Sequence, residues 1–358
     1  MSTKPTDGSL VYFDEQIEAL KTHTPAALAA FDKTGIHQAR VATRRLKAGL
    51  DLLVSLLEKG DLDELSKAGK RLRRRLGPLR DLDVMIDHLR EYPAPVKLKP
   101  AVEWIVGQFE QVRSKARQID REEGKKPHKL LDAFDGWWPI RHRLEQHQGA
   151  IASLLAYALH ERFDRFAQVA DWVSGVSTPP PDEPPIDVHE LRIDGKALRY
   201  TFEIAGAQGI KVPKSVFKSF KAMQESLGTW HDFVVLADET VKRWATVELA
   251  LHDPDAASLV LDLAKQFLKD STKHLNQFKS KWRRSGPTIR NALHDRVPLT
   301  RDVFVGATHA SRVKSITHDS GDAGVASTEF ETDPDRPETS PTPPPEAPEP
   351  IDPAGETR

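Results

Sequence analysis

Apolar residues recur at intervals of three and four positions in several stretches of the chain, which is the period of an amphipathic α-helix. Two short stripes are Leu46, Leu50, Leu53 and Leu57, and Leu191, Leu198 and Phe202. Longer segments with the same period lie near 97–121, 144–173 and 254–284. The pattern predicts an all-α protein built from helices that each bury one face.

A basic phrase occurs twice, at 37–47 and at 189–199, with matching residue types at an offset of 152. On a helix its cations share one face, roughly opposite the leucine stripe, because they are spaced i, i+3, i+7 and i+10. They are His37, Arg40, Arg44 and Lys47 in the first copy and His189, Arg192, Lys196 and Arg199 in the second. Like charges at this spacing repel each other, so the face is expected to meet water or an anion.

The repetition continues beyond this phrase at an offset of 151. Lys67, Lys70, Leu76 and Gly77 match Lys218, Lys221, Leu227 and Gly228, and the acidic-led segment 81–87 matches 232–238. Glycine commonly ends helices and proline commonly opens them. We therefore expect a helix to stop at Gly77, a new helix to open at Pro78, and a similar stop at Gly228. Self-similarity at a fixed period indicates two equivalent units.

Composition narrows the class of protein. The 358 residues include no cysteine, which excludes disulfides, thiolate metal sites and cysteine nucleophiles. No stretch approaches the roughly 18 consecutive apolar residues of a membrane helix, and the first residues lack an apolar signal core. These features lead us to expect a cytoplasmic protein that does not bind membranes.

Charge and proline are unevenly distributed. Residues 319–358 hold 11 acidic and 2 basic residues and 9 of the 26 prolines, a composition typical of disorder. The preceding 318 residues hold 50 basic and 42 acidic residues. A second proline cluster at 179–185 predicts a stiff linker. The predicted organisation is a flexible N-terminus (1–9), a first helical repeat (10–178), the linker, a second repeat (186–300) and a C-terminal extension (301–358) that is disordered from about 319.

The phrases His37-x-x-Arg40-Val41-x-x-Arg44-Arg45-x-Lys47 and His189-x-x-Arg192-Ile193-x-x-Lys196-x-Leu198-Arg199-Tyr200 resemble the signature of the CHAD family, the conserved histidine α-helical domain. The segments 76–84 and 227–232 resemble the family's second landmark and its repeat, and the likeness covers roughly residues 10–300. The resemblance implies two four-helix bundles related by a pseudo-two-fold axis, with a basic channel between them. It also implies binding of inorganic polyphosphate and association with polyphosphate granules.

Polyphosphate is charged along its whole length and has no bases to read, so a binder needs dense cations on rigid elements, and arginine suits phosphate especially well. The expected contacts are His37, Arg40, Arg44, Arg45, Lys47, Lys67, Lys70, Arg71, Arg74, His189, Arg192, Lys196, Arg199, Lys218 and Lys221. The expected supporting residues are Asp81, Asp232, Arg80, His231 and Tyr200. We expect the two aspartates to pair with and orient the arginines. No metal and no cofactor is expected.

The two copies are not equally basic. Arg73, Arg74 and Arg80 of the first copy correspond to Gln224, Glu225 and His231 of the second. The second half of the site is therefore expected to make fewer contacts with the ligand. His231 gains charge below about pH 6.5 if its pKa is ordinary, which would add affinity there.

Several alternatives stay open. In the first alternative, the basic stripes bind no ligand and are simply solvated or paired with acidic side chains. The same cations suit nucleic acid or inositol polyphosphate, although no recognition-helix pattern supports sequence-specific readout. An enzyme of polyphosphate metabolism is disfavoured because no Gly-Lys-Ser phosphate loop and no nucleophile with a neighbouring base is seen. A further alternative is a granule adaptor, for which other granule proteins are candidate partners. In that case the acidic tail faces outward, whereas in an autoinhibited protein it folds back on the channel.

Overall fold

The computed structural model describes residues 8–122 and 131–297, and within these ranges all regular structure is helical. The expectation of an all-α protein is therefore confirmed. The α-helices are α1 (Gly8–Ala29), α2 (Lys33–Leu53), α3 (Asp63–Glu91), α4 (Lys99–Glu122), α5 (Trp137–Leu144), α6 (Gln148–Ser174), α7 (Val188–Ala207), α8 (Lys214–Trp244), α9 (Val247–His252) and α10 (Pro254–Arg296). None of these helices combines the length and apolarity needed to cross a bilayer.

The two basic helices begin at aspartate N-caps. The side chain of Asp32 accepts a hydrogen bond from the Gly35 N–H at 2.6 Å, and that of Asp187 accepts one from the His189 N–H at 2.7 Å. Such caps satisfy backbone donors that the first helical turn leaves without a partner. They also fix where each helix starts.

The predicted helix stops at Gly77 and Gly228 are wrong. α3 continues through Gly77 and Pro78, and α8 continues through Gly228. An interior proline removes one helical hydrogen bond and costs about 3 kcal/mol in isolation, but buried leucines at 72, 76, 79 and 82 hold α3 on both sides of it. Gly77 has a different reason to be glycine, since a Cβ there would lie 2.9 Å from Nη1 of Arg40.

Buried apolar residues form three clusters. The first joins α1, α2, the N-terminal half of α3, α5 and the start of α6. The second joins α6 and α7 to the N-terminal half of α8 and the end of α10. The third joins the C-terminal half of α3 and α4 to the C-terminal half of α8 and the start of α10. α3 and α8 are 29 and 31 residues long, so each is long enough to serve two clusters.

Two of the three clusters mix helices from the predicted repeats at 10–178 and 186–300. α6 lies in the predicted first repeat, yet it buries Phe163 and Phe166 in the second cluster. The third cluster mixes Leu82 and Ile86 with Leu236 and Phe267 from the other half. The bundle division implied by the family resemblance is thus not confirmed.

The ends and the linker also refine the sequence prediction. Residues 8 and 9, expected to be flexible, are the first turn of α1, where the Ser9 N–H donates to Oε1 of Gln208 at 3.0 Å. The proline cluster lies in an irregular, mostly exposed connection between α6 and α7. The extension at 301–358, with its acidic tail, lies outside the described residues.

Candidate functional site

The two copies of the basic phrase meet where α2 packs on α7. Nε of Arg45 lies 3.0 Å from Oε2 of Glu203, which joins the two helices directly. Arg44 of α2 is also close enough to Lys196 of α7 to affect its pKa. Cations that are about 150 positions apart in sequence are therefore neighbours in the fold.

The innermost cations of this contact are almost fully buried. The side chains of Arg40, Arg192 and Arg199 are 1%, 2% and 2% exposed. Nη1 of Arg40 donates to the carbonyl oxygen of Arg73 at 3.0 Å, and its Nη2 lies 3.6 Å from Oδ1 of Asp81. Of the two environments expected for this face, water or an anion, these three side chains do not have water, because helix packing encloses them; contact with an anion stays a prediction.

Arg199 is held differently. Its Nε lies 3.7 Å from Oε1 of Glu203, and its guanidinium lies over the ring of Tyr200 with 5.0 Å to the centroid. The role of Tyr200 as a supporting residue of a ligand site stays a prediction. A carboxylate and a ring face both favour the charged guanidinium.

Lys196 lies close to several other cations, and their effect on it is seen in its pKa. Its ammonium nitrogen is buried. Burial, and after it Arg192 and Arg44, hold the pKa of Lys196 well below its usual value, while Asp232 opposes this effect. Both halves of the molecule thus contribute positive charge at one point.

Arg80 lies in the same positive region on the side of α3. Burial lowers the pKa of Arg80; Asp83 and Asp87 oppose this, and Arg40 and Arg44 lower the pKa further. Arg80 thus lies among charges of both signs, with carboxylates on its own helix and guanidiniums from α2.

Exposed cations continue this region toward solvent. Lys67, Lys70 and Arg74 are exposed and share a face of α3 with Gly77 and Asp81, which are buried. On α8 the matching face carries Lys218, which is exposed, and Lys221, which is half-buried. On α3 this basic face runs from the surface to Gly77, where Arg40 packs, whereas on α8 the exposed acid Glu225 follows Lys221 on the same face.

Other predicted contacts have more peripheral positions. Arg71 is exposed but lies one residue, about 100°, around α3 from Lys70. Lys47 is exposed and pairs with Asp51 at 2.6 Å, and Lys67 pairs with Glu64 at 3.1 Å. His37 and Arg44 are half-buried on the same face of α2 as Arg40.

Each of the two predicted aspartates has a close basic partner. Oδ1 of Asp81 lies 3.6 Å from Nη2 of Arg40. Oδ2 of Asp232 lies 3.3 Å from Nε2 of His88, which connects α3 to α8, and Asp232 also acts on Lys196. That the aspartates orient the arginines for a ligand stays a prediction. His88 was missed by the sequence analysis, since it has no counterpart in the second copy, where Glu239 holds the equivalent position.

Glu203 was also missed, although a sequence signal for it exists. It follows Arg199 by four positions, just as Asp51 follows Lys47 by four in the first copy. Each basic stripe therefore ends with an acid one helical turn beyond its last cation. Within the described ranges, no three His, Asp or Glu side chains are grouped as ligands of a metal ion.

An all-helical fold with a cationic contact between two sequence-related helices defines the class of this protein. The CHAD domain family model matches residues 11–241, well over half of the chain. The chain belongs to the CHAD family.

Among solved structures, the crystal structure of the CHAD domain from the plant Ricinus communis is similar to this chain, with a TM-score of 0.52 and 21% sequence identity. The match covers 80% of this chain and 90% of the other. At this identity the likeness concerns the fold alone. No curated protein matches this chain.

Proposed function

We propose that this protein binds inorganic polyphosphate at the α2–α7 contact and does not catalyse its turnover. The observation that carries the proposal is the convergence of Arg44, Arg192 and Arg199 around the buried ammonium of Lys196. Assembling like charges in a helical interior costs stability, and a bound polyanion would offset that cost. Binding of polyphosphate is also what the likeness to CHAD proteins implies.

Burial divides the expected contacts into two groups with different roles. The enclosed guanidiniums of Arg40, Arg192 and Arg199 supply positive potential and fix the positions of their neighbours. Direct contact with the polymer falls to the half-buried His37, Arg44, His189 and Lys221 and to the exposed Lys70, Arg74 and Lys218. A polymer without bases needs only this charge density, held on rigid helices.

The test is calorimetry with long-chain polyphosphate at several salt concentrations. By analogy with DNA, the logarithm of affinity should fall linearly with the logarithm of salt as counterions are released. Substituting Arg44→Gln together with Lys221→Gln removes one contact from each half. We expect a loss of about tenfold or more at low salt and a shallower salt slope.

The matched control is Lys97→Gln with Lys265→Gln, which removes the same charge from two exposed lysines that both pair with Asp262. This control should bind nearly as well as the unchanged protein. Failure to bind at low salt would refute the proposal. If both double variants lose the same affinity, the binding is non-specific attraction by net charge and not a site at the α2–α7 contact.

Two further measurements separate the competing functions. Displacement of polyphosphate by RNA, DNA or inositol polyphosphate at equal phosphate concentration would show a general polyanion binder. Release of orthophosphate on incubation with Mg²⁺ would show an enzyme. We expect neither result, and we infer that polyphosphate binding brings the protein to cytoplasmic polyphosphate granules, where other granule proteins are candidate partners.

A further inference from the structure

Two histidine rings face each other beside the basic contact. Nδ1 of His189 on α7 lies 3.4 Å from Nδ1 of His231 on α8, and the ring centroids are 4.8 Å apart with 37° between the planes. His231 is 3% exposed, whereas His189 is half-buried. One ring therefore lies inside the helix packing and the other reaches toward the surface. His231 also stands where the first copy has Arg80.

The facing nitrogens limit how many protons the pair holds. A neutral imidazole has one donor and one acceptor nitrogen, and a protonated ring has two donors. One hydrogen between the Nδ1 atoms gives a favourable contact, while protonation of both rings sets two donors against each other. The pair therefore suits the uptake of a single proton.

Charged groups from four helices surround the pair or connect to it. They are Asp187, Glu190, Arg192 and Lys196 around α7, Asp232 beside His231 on α8, His88 of α3 against Asp232, and Arg44 of α2 near Lys196. Burial, and after it Arg192, lowers the pKa of His189; Asp187 and Glu190 oppose this, and Lys196 adds to it. His189 in the unliganded protein is thus mainly neutral at neutral pH.

We propose that binding of a polyanion at this site is coupled to the uptake of a proton by the His189–His231 pair, so that affinity rises as the pH falls. The proposal rests on the proposed function and adds a mode of regulation to the same site. An anion beside Arg192 and Lys196 cancels the positive field that, after burial, lowers the pKa of His189. By linkage, a ligand that favours the protonated form is itself bound more tightly by that form.

The sign of the pH dependence follows from the pKa of His189 in the free protein and in the complex. The pKa of His189 is lowered before binding and returns toward or above its ordinary value in the complex. Between these two pKa values, binding takes up a proton, and affinity increases as the pH falls. The inner phosphates of a long chain stay ionised over this range, so the polymer's own titration does not produce the effect.

The experiment is calorimetry with long-chain polyphosphate in buffers that differ in ionisation enthalpy, at pH values from about 5 to about 7.5, which bracket the ordinary pKa of histidine. The slope of observed enthalpy against buffer enthalpy counts protons. We expect uptake of up to about one proton per site, and a gain in affinity of up to about tenfold per pH unit within the window. Binding without proton uptake overturns this inference and leaves the proposed function intact. A complete absence of binding overturns the proposed function as well.

Variants locate the proton. His189→Gln changes a half-buried ring, and it should abolish the uptake and flatten the pH dependence. His231→Arg copies the residue of the first copy, and it should keep affinity high at the upper end of the pH range. His142→Gln is the control, because His142 is an exposed histidine of α5 beside Glu145. If His189→Gln takes up as many protons as His142→Gln, the pair is not the site and the inference is wrong.

Discussion

Arg40 shows how a single residue sets the geometry of the basic contact. Its guanidinium reaches from α2 to the backbone of α3 and occupies the space above Gly77, where a side chain would collide with it. Gly228 is the equivalent position in α8, and a Cβ there would meet nothing within 4 Å. The two glycines match in sequence but serve different purposes in the fold.

This difference predicts opposite effects of one substitution. Gly228→Ala should raise the free energy of unfolding by about 0.5–1 kcal/mol, because alanine favours a helix interior. Gly77→Ala brings the same backbone gain, but it displaces Arg40 from the Arg73 carbonyl and should lower stability by about 1–2 kcal/mol overall. Urea unfolding of the two variants measures the contrast. Equal stabilisation would mean that Arg40 moves aside at no cost.

At the scale of elements, Glu203 joins three helices. Its carboxylate accepts a hydrogen bond from the Tyr12 hydroxyl of α1 at 2.9 Å and pairs with Arg45 of α2, and it also lies near Arg199 on its own helix. Burial, and after it Glu203, raises the pKa of Tyr12 above its ordinary value. The side chain of Glu203 is 14% exposed, so solvent screens these interactions little.

Glu203→Gln should therefore be costly. It leaves Arg45 and Arg199 near each other without the intervening negative charge, and we expect a loss of about 2–3 kcal/mol in the free energy of unfolding. Asp51→Asn is the matched control, because Asp51 holds the equivalent place on α2 and pairs with an exposed lysine. That change should cost about 0.5 kcal/mol or less. Similar losses in denaturant titrations of both variants would contradict this account.

At the scale of the whole molecule, the halves share their hydrophobic core. α6 packs against α7 and α10, and the third cluster takes residues from α3, α4, α8 and α10. The second and third clusters therefore need helices from both halves, whereas the first cluster draws almost entirely on the first half.

We predict that the helical core unfolds in one transition. Phe163→Ala removes a side chain that α6 buries in the second cluster, and it should cost about 3–4 kcal/mol. The whole transition should move to lower temperature, with calorimetric and van't Hoff enthalpies in agreement. Leu72→Ala in the first cluster provides the comparison from the other half. Two resolved transitions, each moved by only one variant, would show that the halves fold separately.

Local sequence patterns were enough to predict the helical class and the family. The 3.6-residue period depends only on neighbours along the chain, so segments such as 97–121 and 144–173 were placed close to α4 and α6. The basic phrase was recognised for the same reason, since its spacing places its cations on one face of a helix wherever that helix packs. The likeness of the two copies also led us to expect that two related helices face one ligand, and that expectation stays a prediction.

Only the tertiary structure decided which of these cations are enclosed and what lies beside them. Residues distant in sequence bury Arg40 and Arg192 and contact Glu203 and His88. Packing against such residues also carries α3 through Gly77 as one helix. A helical period specifies the angle at which a side chain leaves its helix, but not the partner it meets there. The sequence by itself thus determined the helices and their charged faces. Packing between the halves determined how deeply each cation is buried, which groups it contacts, and in which direction its pKa is shifted.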